Sequence, residues 1–514
     1  MRTNLVLFGL LLTVLVTVGI YFGSVTSHAP FAYDEADYMY AGTRGFIANF
    51  LDRPSQSLVE FVRKGMEFAP DNSQRVSMSE YIRSTGDITF YRHYHGPVYA
   101  YWIAICKALG VTGERGYRAS GLVIHALGTI AIFWLFRVVF PELGAGSAFV
   151  AALVFLMNRT GLVTATAITQ HVMYAFLSTL SLFMCGLFLR TRDPRYWYGT
   201  AGLLAAAFAT VEIAFVLLIT VAVSVAIAFW RDGWRRIALL IGQGVAAAVL
   251  TMAVIWPKGM LALGFVKGYL YLAYIALFRK GFSQVTPLEL WGFKLKTYPL
   301  EFVLPLIALI AALALFQKLK YRWETLPFLV YSCFFIAVTM KVTAPFTHYH
   351  VSLVMAAAVI VGVMFGELWR HAGLVIRAAA ITAVVVPLIF LDMEYYRECE
   401  QIAAGPSTAA SLLGHVQTAP TGGILLMPFV LVPTLHYYRP ELMAIGYDAD
   451  WSMARLVDEA QAHSGNVELF CGESVCRGAG ELWPAAASRE SWVPIGKMLD
   501  GPETLYAIRP SLNR

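Results

Sequence analysis

The sequence predicts an all-α, polytopic membrane protein of about eleven transmembrane helices, with a small α/β domain at its C-terminal end. Of the 514 residues, 58% are hydrophobic and only 14% are charged, and the mean hydropathy is +0.61. A soluble globule of this length needs more polar surface than this composition supplies. In addition, several apolar windows meet or approach the length of about 20 residues that crosses a bilayer.

The predicted spans cover residues 4–22, 121–139, 144–157, 172–189, 198–210, 213–230, 237–256, 300–316, 326–340, 351–368 and 374–391. The first span is interpreted as a retained anchor, because its apolar core exceeds that of a signal peptide and no A-x-A site follows. The apolar segment 96–110 is too short to cross comfortably. We therefore expect a juxtamembrane helix there, lying along the outer interface.

Lys and Arg clusters at 190–195, 231–236, 317–322 and 367–371 fall on the side of the N-terminus, which predicts a cytoplasmic N-terminus. The outward pieces are then a first loop over 24–120, a second loop over 257–299 and a C-terminal domain over 392–514, while 1–391 form the transmembrane domain. The Ala-rich composition with few cysteines favours a bacterial inner membrane, with the outward face in the periplasm.

In the C-terminal domain, short apolar runs alternate with turns. We predict strands at GILLMP, LHYYRP, NVELFC and TLYAIRP and an amphipathic helix over 451–463. Cys471 and Cys476 are spaced to close a small disulfide loop in an exported domain. The DAD triplet at 448–450 fits a loop and a helix N-cap better than a metal site.

The stretch FAYDEADYMY (31–40) places three carboxylates just outside the first span. A helix beginning after Pro30 puts Asp34, Asp37 and Tyr38 on one face and turns Glu35 about a quarter turn away. One interpretation is structural: Asp34 caps the helix and Asp37 interacts with its positive N-terminus. The other is catalytic, because a carboxylate at the membrane surface can remove a proton from a hydroxyl group.

Cationic and histidine side chains of the outward segments favour the catalytic interpretation, because a reaction that releases an anion needs them nearby. Taken singly, each of these side chains also fits an interfacial anchor that reaches toward lipid headgroups. Glu212, near a helix junction, is either a functional acid or a structural pair for a loop cation. The candidate substrate-binding side chains of this kind are Arg92, His93, His95, Arg118, Lys258, Lys267, His348 and His350.

The order of these motifs resembles the GT-C glycosyltransferases, in particular the branch of the protein O-mannosyltransferases and the lipid A aminoarabinose transferases. The resemblance rests on the acidic pair after the first span, on HGPVYAYW (95–102) and on RASGLVIHALGTIAIFWLFRVVF (118–140). It is clearest over about the first 240 residues. The family's usual HPP reads HGP here, and its later outward Arg-Tyr reads THYHVS. YYRP (437–440) lies where bacterial members often carry a comparable strand.

The resemblance implies a polyprenyl-phosphate sugar donor, membrane lipids around the site and a hydroxyl acceptor on a glycan, a lipid or a protein. By this resemblance Asp34 is the catalytic base of an inverting transfer. Glu35, also a catalytic candidate, or Asp37 would orient the acceptor or sugar hydroxyls, and Asp37 and Tyr38 are assigned to substrate binding.

Three other interpretations stay open at this point. A transporter or flippase of sugars or lipid-linked sugars has similar hydropathy, but usually places its ionisable residues at the bilayer midplane. A sensor or scaffold would bind its partner through the C-terminal domain. A divalent metal held by Asp34, Glu35, His93 and His95 matches no fixed ligand spacing, so no cofactor is expected to be required. No nucleotide motif is present, and no nucleic acid partner is expected.

Overall fold

The computed structural model of the chain describes residues 2–51, 96–261, 286–297, 299–340 and 347–371, and, nearer the C-terminus, 393–401, 407–417, 422–447, 464–480, 488–497 and 503–508, with a few shorter pieces between them. Helices form most of this part of the chain, and a five-stranded sheet is confined to its C-terminal end. The predicted fold class is therefore confirmed.

The described helices with printed bounds are labelled in chain order. In the membrane part they are α1 (Arg2–Val25), α2 (Asp34–Thr43), α3 (Phe46–Leu51), α4 (Val98–Ala108), α5 (Gly113–Val139), α6 (Gly144–Leu156), α7 (Arg159–Ala165), α8 (Gln170–Thr191), α9 (Pro194–Phe208), α10 (Phe215–Ala228), α11 (Trp234–Ile255), α12 (Pro257–Leu261), α13 (Pro287–Thr297), α14 (Pro299–Ala314), α15 (Arg322–Thr339) and α16 (Val351–His371). Those of the C-terminal part are α17 (Thr408–Val416), α18 (Val432–Tyr438) and α19 (Glu473–Gly480).

Within the described residues, five helices are long and apolar enough to cross a membrane, namely α1, α5, α8, α11 and α16. A sixth span results if α6 and α7, which meet at a 57° bend, are taken together. The predicted spans up to residue 368 each overlap a helix, whereas most of 374–391 lies outside the described residues. The total of eleven therefore stays a prediction. The 11-residue α4 is about 16 Å long, too short to cross a bilayer of about 30 Å.

The helices divide into buried and peripheral ones. The apolar windows of α8 and α16 are 78% and 83% buried, while those of α1 and α11 are only 17% buried. On α11 the exposed side chains include Val245, Leu250 and Val254. Because lipid tails solvate such side chains as well as a protein core does, α1 and α11 have the character of lipid-facing helices around an α8–α16 centre.

The C-terminal domain is built on a mixed sheet in the order β2-β1-β3-β5-β4. Strand β1 pairs in parallel with both β2 and β3, and β5 pairs antiparallel with β3 and β4. All five residues of β1 are buried, as expected for a central parallel strand covered on both faces. The strands are β1 (Ile424–Pro428), β2 (Met443–Tyr447), β3 (Val467–Gly472), β4 (Trp492–Lys497) and β5 (Thr504–Ile508).

Three of the four predicted strands correspond to β1, β3 and β5, but the prediction of a strand at LHYYRP was wrong. That segment falls largely within α18, where Pro433 occupies the first turn and Val432 and Leu435 are buried at helical spacing. The strands β2 and β4 were not predicted. The disulfide between Cys471 and Cys476 is confirmed and links the end of β3 to α19. Most of the predicted helix over 451–463, and the DAD triplet, lie outside the described residues.

Helix α2, which carries the predicted acids, packs against both α4 of the membrane part and α18 of the C-terminal domain. Phe31, just before α2, forms ring contacts with Tyr117 of α5 and with Tyr437 and Tyr438 of α18. The C-terminal domain therefore contacts the membrane domain at the acidic helix.

Candidate active site

Helix α2 begins at Asp34 and has all three predicted acids in its first turn. Negative charge is favourable there, because the unpaired N–H groups give a helix N-terminus a partial positive charge. Asp37 is only 4% exposed, while Asp34 and Glu35 are half-buried. The backbone before the helix is bent, since Tyr33 has φ 54° and ψ −128°.

Glu35 is bound by Arg118 of α5 in a two-pronged contact. The guanidinium Nη2 donates to Oε2 at 2.6 Å, and Nε donates to the two carboxylate oxygens at 3.0 and 3.2 Å. The amide of Ile168 donates to Oε1 of the same carboxylate at 3.0 Å. Glu35 therefore joins α2 to α5 and to the loop that leads into α8.

Arg118 also holds the linker between α1 and α2. It donates through Nη1 to the carbonyls of Ser27 at 3.0 Å and Ala29 at 2.7 Å, and through Nη2 to that of Pro30 at 3.4 Å. The side chain is only 7% exposed. This geometry favours a positioning role for Arg118 and Glu35, and a direct part for either in substrate binding or catalysis stays a prediction.

The HGP sequence is explained by the packing of α4. The amide of Val98 donates to the carbonyl of Ala209 at 3.0 Å, and a Cβ at Gly96 would lie only 2.3 Å from that oxygen. Any larger residue at position 96 would collide with this backbone. Glu212, 7% exposed, begins the short turn three residues later, so it lies near the start of α4 and at the end of an apolar helix rather than in the middle of one.

Tyr99 of α4 lies beside the acidic helix. Its ring meets that of Tyr38 edge-on at 5.6 Å, and the side chain is 1% exposed. The backbone of Thr169 is close to the hydroxyl, yet the hydroxyl makes no hydrogen bond of normal geometry. Burial raises the pKa of Tyr99, and the nearby Glu35 carboxylate raises it further. The phenol is therefore neutral.

The loop whose Ile168 amide donates to Glu35 continues into the N-terminus of α8. There the amide of His171 donates to the hydroxyl of Thr169 at 3.4 Å. His171 is 4% exposed, and its ring lies 4.8 Å from that of His348 and 4.7 Å from that of Tyr349. A chain of contacts thus runs from the acidic helix through residue 168 to a histidine pair. Two imidazoles at a helix N-terminus can bind an anion.

The two predicted distal histidines differ in their surroundings. His348 lies with His171 as just described, whereas His350, 1% exposed, lies among the rings of Trp291, Phe302 and Phe335. Lys258 lies in α12, which packs against α3 after the acidic helix. Arg92, His93, His95 and Lys267 lie outside the described residues. Among the described residues, no group of three or more His, Cys, Asp or Glu is arranged to hold a metal.

Sequence reasoning missed several residues of this region. His171 had a detectable signal, because it is a polar residue at the start of an otherwise apolar helix. Tyr99 stood in the motif that carried the resemblance but was not singled out. Thr434 and Tyr438, which reach the acidic helix from the C-terminal domain, had no signal, since about 400 residues of sequence separate them from it.

Residues 94–258 match the family described as dolichyl-phosphate-mannose-protein mannosyltransferase. No curated protein matches the sequence. Among solved structures, the chain is similar to ArnT from Cupriavidus metallidurans bound to undecaprenyl phosphate, with 12% identity, a TM-score of 0.58 and 98% of each chain covered.

Two archaeal structures are similar as well. One is the Archaeoglobus fulgidus oligosaccharyltransferase in the apo form, with 11% identity, a TM-score of 0.58, and 98% of this chain and 74% of that chain covered. The other is AglB from the same organism in complex with an inhibitory peptide and a dolichol-phosphate, with 12% identity, a TM-score of 0.54, and 89% and 69% covered.

These findings confirm the resemblance. The chain has the fold of the GT-C membrane glycosyltransferases and is a multi-pass membrane protein. The stretch matched by the mannosyltransferase family runs from just before HGP to Lys258, and it includes Arg118, Ile168, His171 and Glu212.

Proposed function

We propose that this chain is an integral-membrane glycosyltransferase that moves a sugar from a polyprenyl-phosphate donor to a hydroxyl acceptor at the outward face of its membrane. The observation that carries the proposal is the acidic first turn of α2, which Glu35 joins to Ile168 in the loop before α8, where His171 lies against His348. The chain that presents this arrangement has the GT-C fold. Such a site has the carboxylate and the anion ligands that transfer from a lipid phosphate needs.

In the proposed reaction Asp34 accepts the proton of the acceptor hydroxyl as its oxygen attacks the anomeric carbon of the sugar. The bond from that carbon to the phosphate oxygen breaks, and the lipid phosphate leaves with the bonding electrons. Because the attack comes from the face opposite the leaving group, the anomeric configuration inverts. Asp34 rather than Glu35 is the base, because three donors already occupy the Glu35 carboxylate.

The departing phosphate gains negative charge and needs donors or cations close to the membrane surface. His171 and His348 are proposed as its ligands, together with the N-terminal amides of α8. Lys258 and the predicted Arg92, His93, His95 and Lys267 would add positive charge from the outward loops. Asp37 and Tyr38 would contact the sugar or the acceptor, and no metal is required by this scheme.

The proposed partners follow from the comparisons. Undecaprenyl phosphate is bound to the similar ArnT structure and a dolichol-phosphate to the similar AglB structure, which favours a polyprenyl-phosphate donor here. The acceptor class is left as a glycan, a lipid or a protein. The proposed location is a bacterial inner membrane with the C-terminal domain in the periplasm, and the disulfide between Cys471 and Cys476 is in keeping with an oxidising compartment.

The test is sugar transfer by the purified full chain in lipid, with a panel of polyprenyl-phosphate sugars and hydroxyl acceptors. Asp34→Asn should lower the rate by about 100- to 10,000-fold, the usual effect of losing a general base, while donor binding persists. Asp232→Asn, the same change on an exposed turn between α10 and α11, should leave the rate unchanged.

The same preparation also tests the alternative function, a transporter or flippase of sugars or lipid-linked sugars. If no donor and acceptor pair gives turnover, and the protein instead moves lipid-linked sugar across a vesicle membrane, the proposed function is wrong. If wild type transfers sugar and folded Asp34→Asn does so equally well, the enzyme stands but Asp34 is not its base.

A further inference from the structure

The linker that delivers Asp34 to the site is held from two sides. From the membrane part, Arg118 binds the carbonyls of residues 27, 29 and 30, as described above. From the C-terminal domain, the hydroxyl of Tyr438 accepts the amide of Phe31 at 2.8 Å, and the hydroxyl of Thr434 accepts the amide of Tyr33 at 3.3 Å. The two residues of α18 thus fix the last three residues before the base.

Tyr33 has a backbone conformation that glycine adopts freely and that a tyrosine adopts only under constraint. Its φ of 54° with ψ of −128° corresponds to the first central position of a type II′ turn. The tyrosine side chain, in turn, packs against a hydrophobic cluster of the C-terminal domain that includes Leu412, Met427 and Leu435. The contact with this domain therefore supplies the constraint that keeps the strained backbone in place.

Further contacts join α18 to the membrane helices. The Tyr438 hydroxyl donates to Glu114, in the first turn of α5, at 2.9 Å while it accepts the amide of Phe31. Burial raises the pKa of Tyr438, and the hydrogen bond to the Glu114 carboxylate raises it further, so the hydroxyl keeps the proton that it donates. The ring of His436 lies 4.4 Å from that of Tyr40 on α2. Membrane helix, linker and C-terminal domain meet at this point.

We propose that the C-terminal domain forms part of the active site: Thr434 of α18 binds the amide of Tyr33, Tyr438 binds the amide of Phe31, and together they orient Asp34. Thr434 is a positioning residue: it acts through the backbone before the base and touches no reacting atom. The inference rests on the proposed function, because it assigns a role in transfer to contacts around the proposed base.

The first test replaces the Thr434 hydroxyl by a methyl group in Thr434→Val and retains it in Thr434→Ser. Thr434 is fully buried, so the valine fills the same space. We expect Thr434→Val to lower kcat about tenfold, the equivalent of one net hydrogen bond, with KM for the donor unchanged. Thr434→Ser should restore most of the rate. The matched control is Thr408→Val, which loses a hydroxyl bond to Lys497 within the same domain.

The second test asks whether Thr434 acts through Asp34. In the Asp34→Asn background, where the base is already lost, adding Thr434→Val should cause no further loss of the residual rate. If the two losses multiply, Thr434 acts elsewhere and the inference is wrong. A merely structural role would instead lower the amount of folded protein in both backgrounds alike and leave kcat per folded molecule unchanged.

The third test does not depend on activity. We would measure amide hydrogen exchange of the full chain in lipid nanodiscs. Over residues 31–37, exchange should be about tenfold faster in Thr434→Val than in wild type, and Thr408→Val should exchange at the wild-type rate. Equal exchange in wild type and Thr434→Val would overturn this inference and leave the proposed function intact. Absence of transfer by wild type with altered exchange would overturn the proposed function, together with the catalytic part of the inference.

Discussion

Arg118 of α5 binds both Glu35 of α2 and the linker before that helix. Arg118→Ala removes a guanidinium that pairs with one carboxylate and with three backbone carbonyls. The arginine side chain is 7% exposed and the glutamate side chain 20%. The substitution therefore leaves a largely buried carboxylate without its main charge partner, and three carbonyls without their donor.

Breaking a buried ion pair by removing one partner costs about 3–5 kcal/mol. Glu35 is partly exposed and keeps the Ile168 amide, so we place the loss for Arg118→Ala at the lower end, about 3 kcal/mol. Arg118→Lys keeps the positive charge but has a single ammonium in place of a planar fork, so it should recover only part of that loss.

The assay is unfolding of the detergent-solubilised protein for Arg118→Ala, Glu35→Ala and the double variant. Each single variant leaves the other charge buried without its partner. The stability loss of the double variant should therefore be about 2 kcal/mol smaller than the sum of the two single losses. Arg195→Ala, which breaks an exposed pair with Asp193, serves as control and should change little. Strictly additive losses would refute the proposed pairing.

Two further substitutions test the packing around α4. Gly96→Ala should destabilise the protein by about 1–3 kcal/mol and lower transfer, because the new methyl group would meet the Ala209 backbone at 2.3 Å. Gly9→Ala, where the new methyl group has nothing within 4 Å, is the control, and equal stability of the two variants would contradict this packing. Tyr99→Phe should leave the unfolding temperature unchanged or raise the stability by about 1 kcal/mol, because the Tyr99 hydroxyl makes no hydrogen bond of normal geometry. Tyr331→Phe, which loses a 3.0 Å bond to Tyr174, is the control and should be less stable than wild type. A less stable Tyr99→Phe would show that the Tyr99 hydroxyl has a partner.

The membrane part could be predicted closely because its signal is local. Long apolar windows identify helices without knowledge of their neighbours, and the predicted spans up to residue 368 each overlap a helix. In the C-terminal domain the signal is weaker: LHYYRP contains residues that favour strands, but Pro433 and the burial of Val432 and Leu435 on one side produce α18. Strand β4, with only Trp492 and Ile495 buried, shows no clear alternation.

At the site, the order of motifs led to the acids of α2, since carboxylates beside a membrane span are conspicuous in composition alone. No local pattern in the sequence distinguished Asp34 from Glu35, and only the resemblance named Asp34 as the base. That distinction depends on Arg118 and Ile168, which are 83 and 133 residues away from Glu35 along the chain. The sequence also could not separate His348, which lies beside His171, from His350, which lies among aromatic rings.

The sequence by itself determined that this protein lies in a membrane and that acids follow its first span, and it predicted a C-terminal α/β domain with two cysteines spaced for a disulfide. Hydropathy, local charge and cysteine spacing are properties of short segments, so they can be identified in the sequence without knowledge of the fold. Only the tertiary structure decided that α18 of this domain meets α2, that Glu35 is bound by Arg118, and that the amide of Tyr33, a residue with positive φ, donates to Thr434. Contacts of this kind join distant segments, and no local pattern records them.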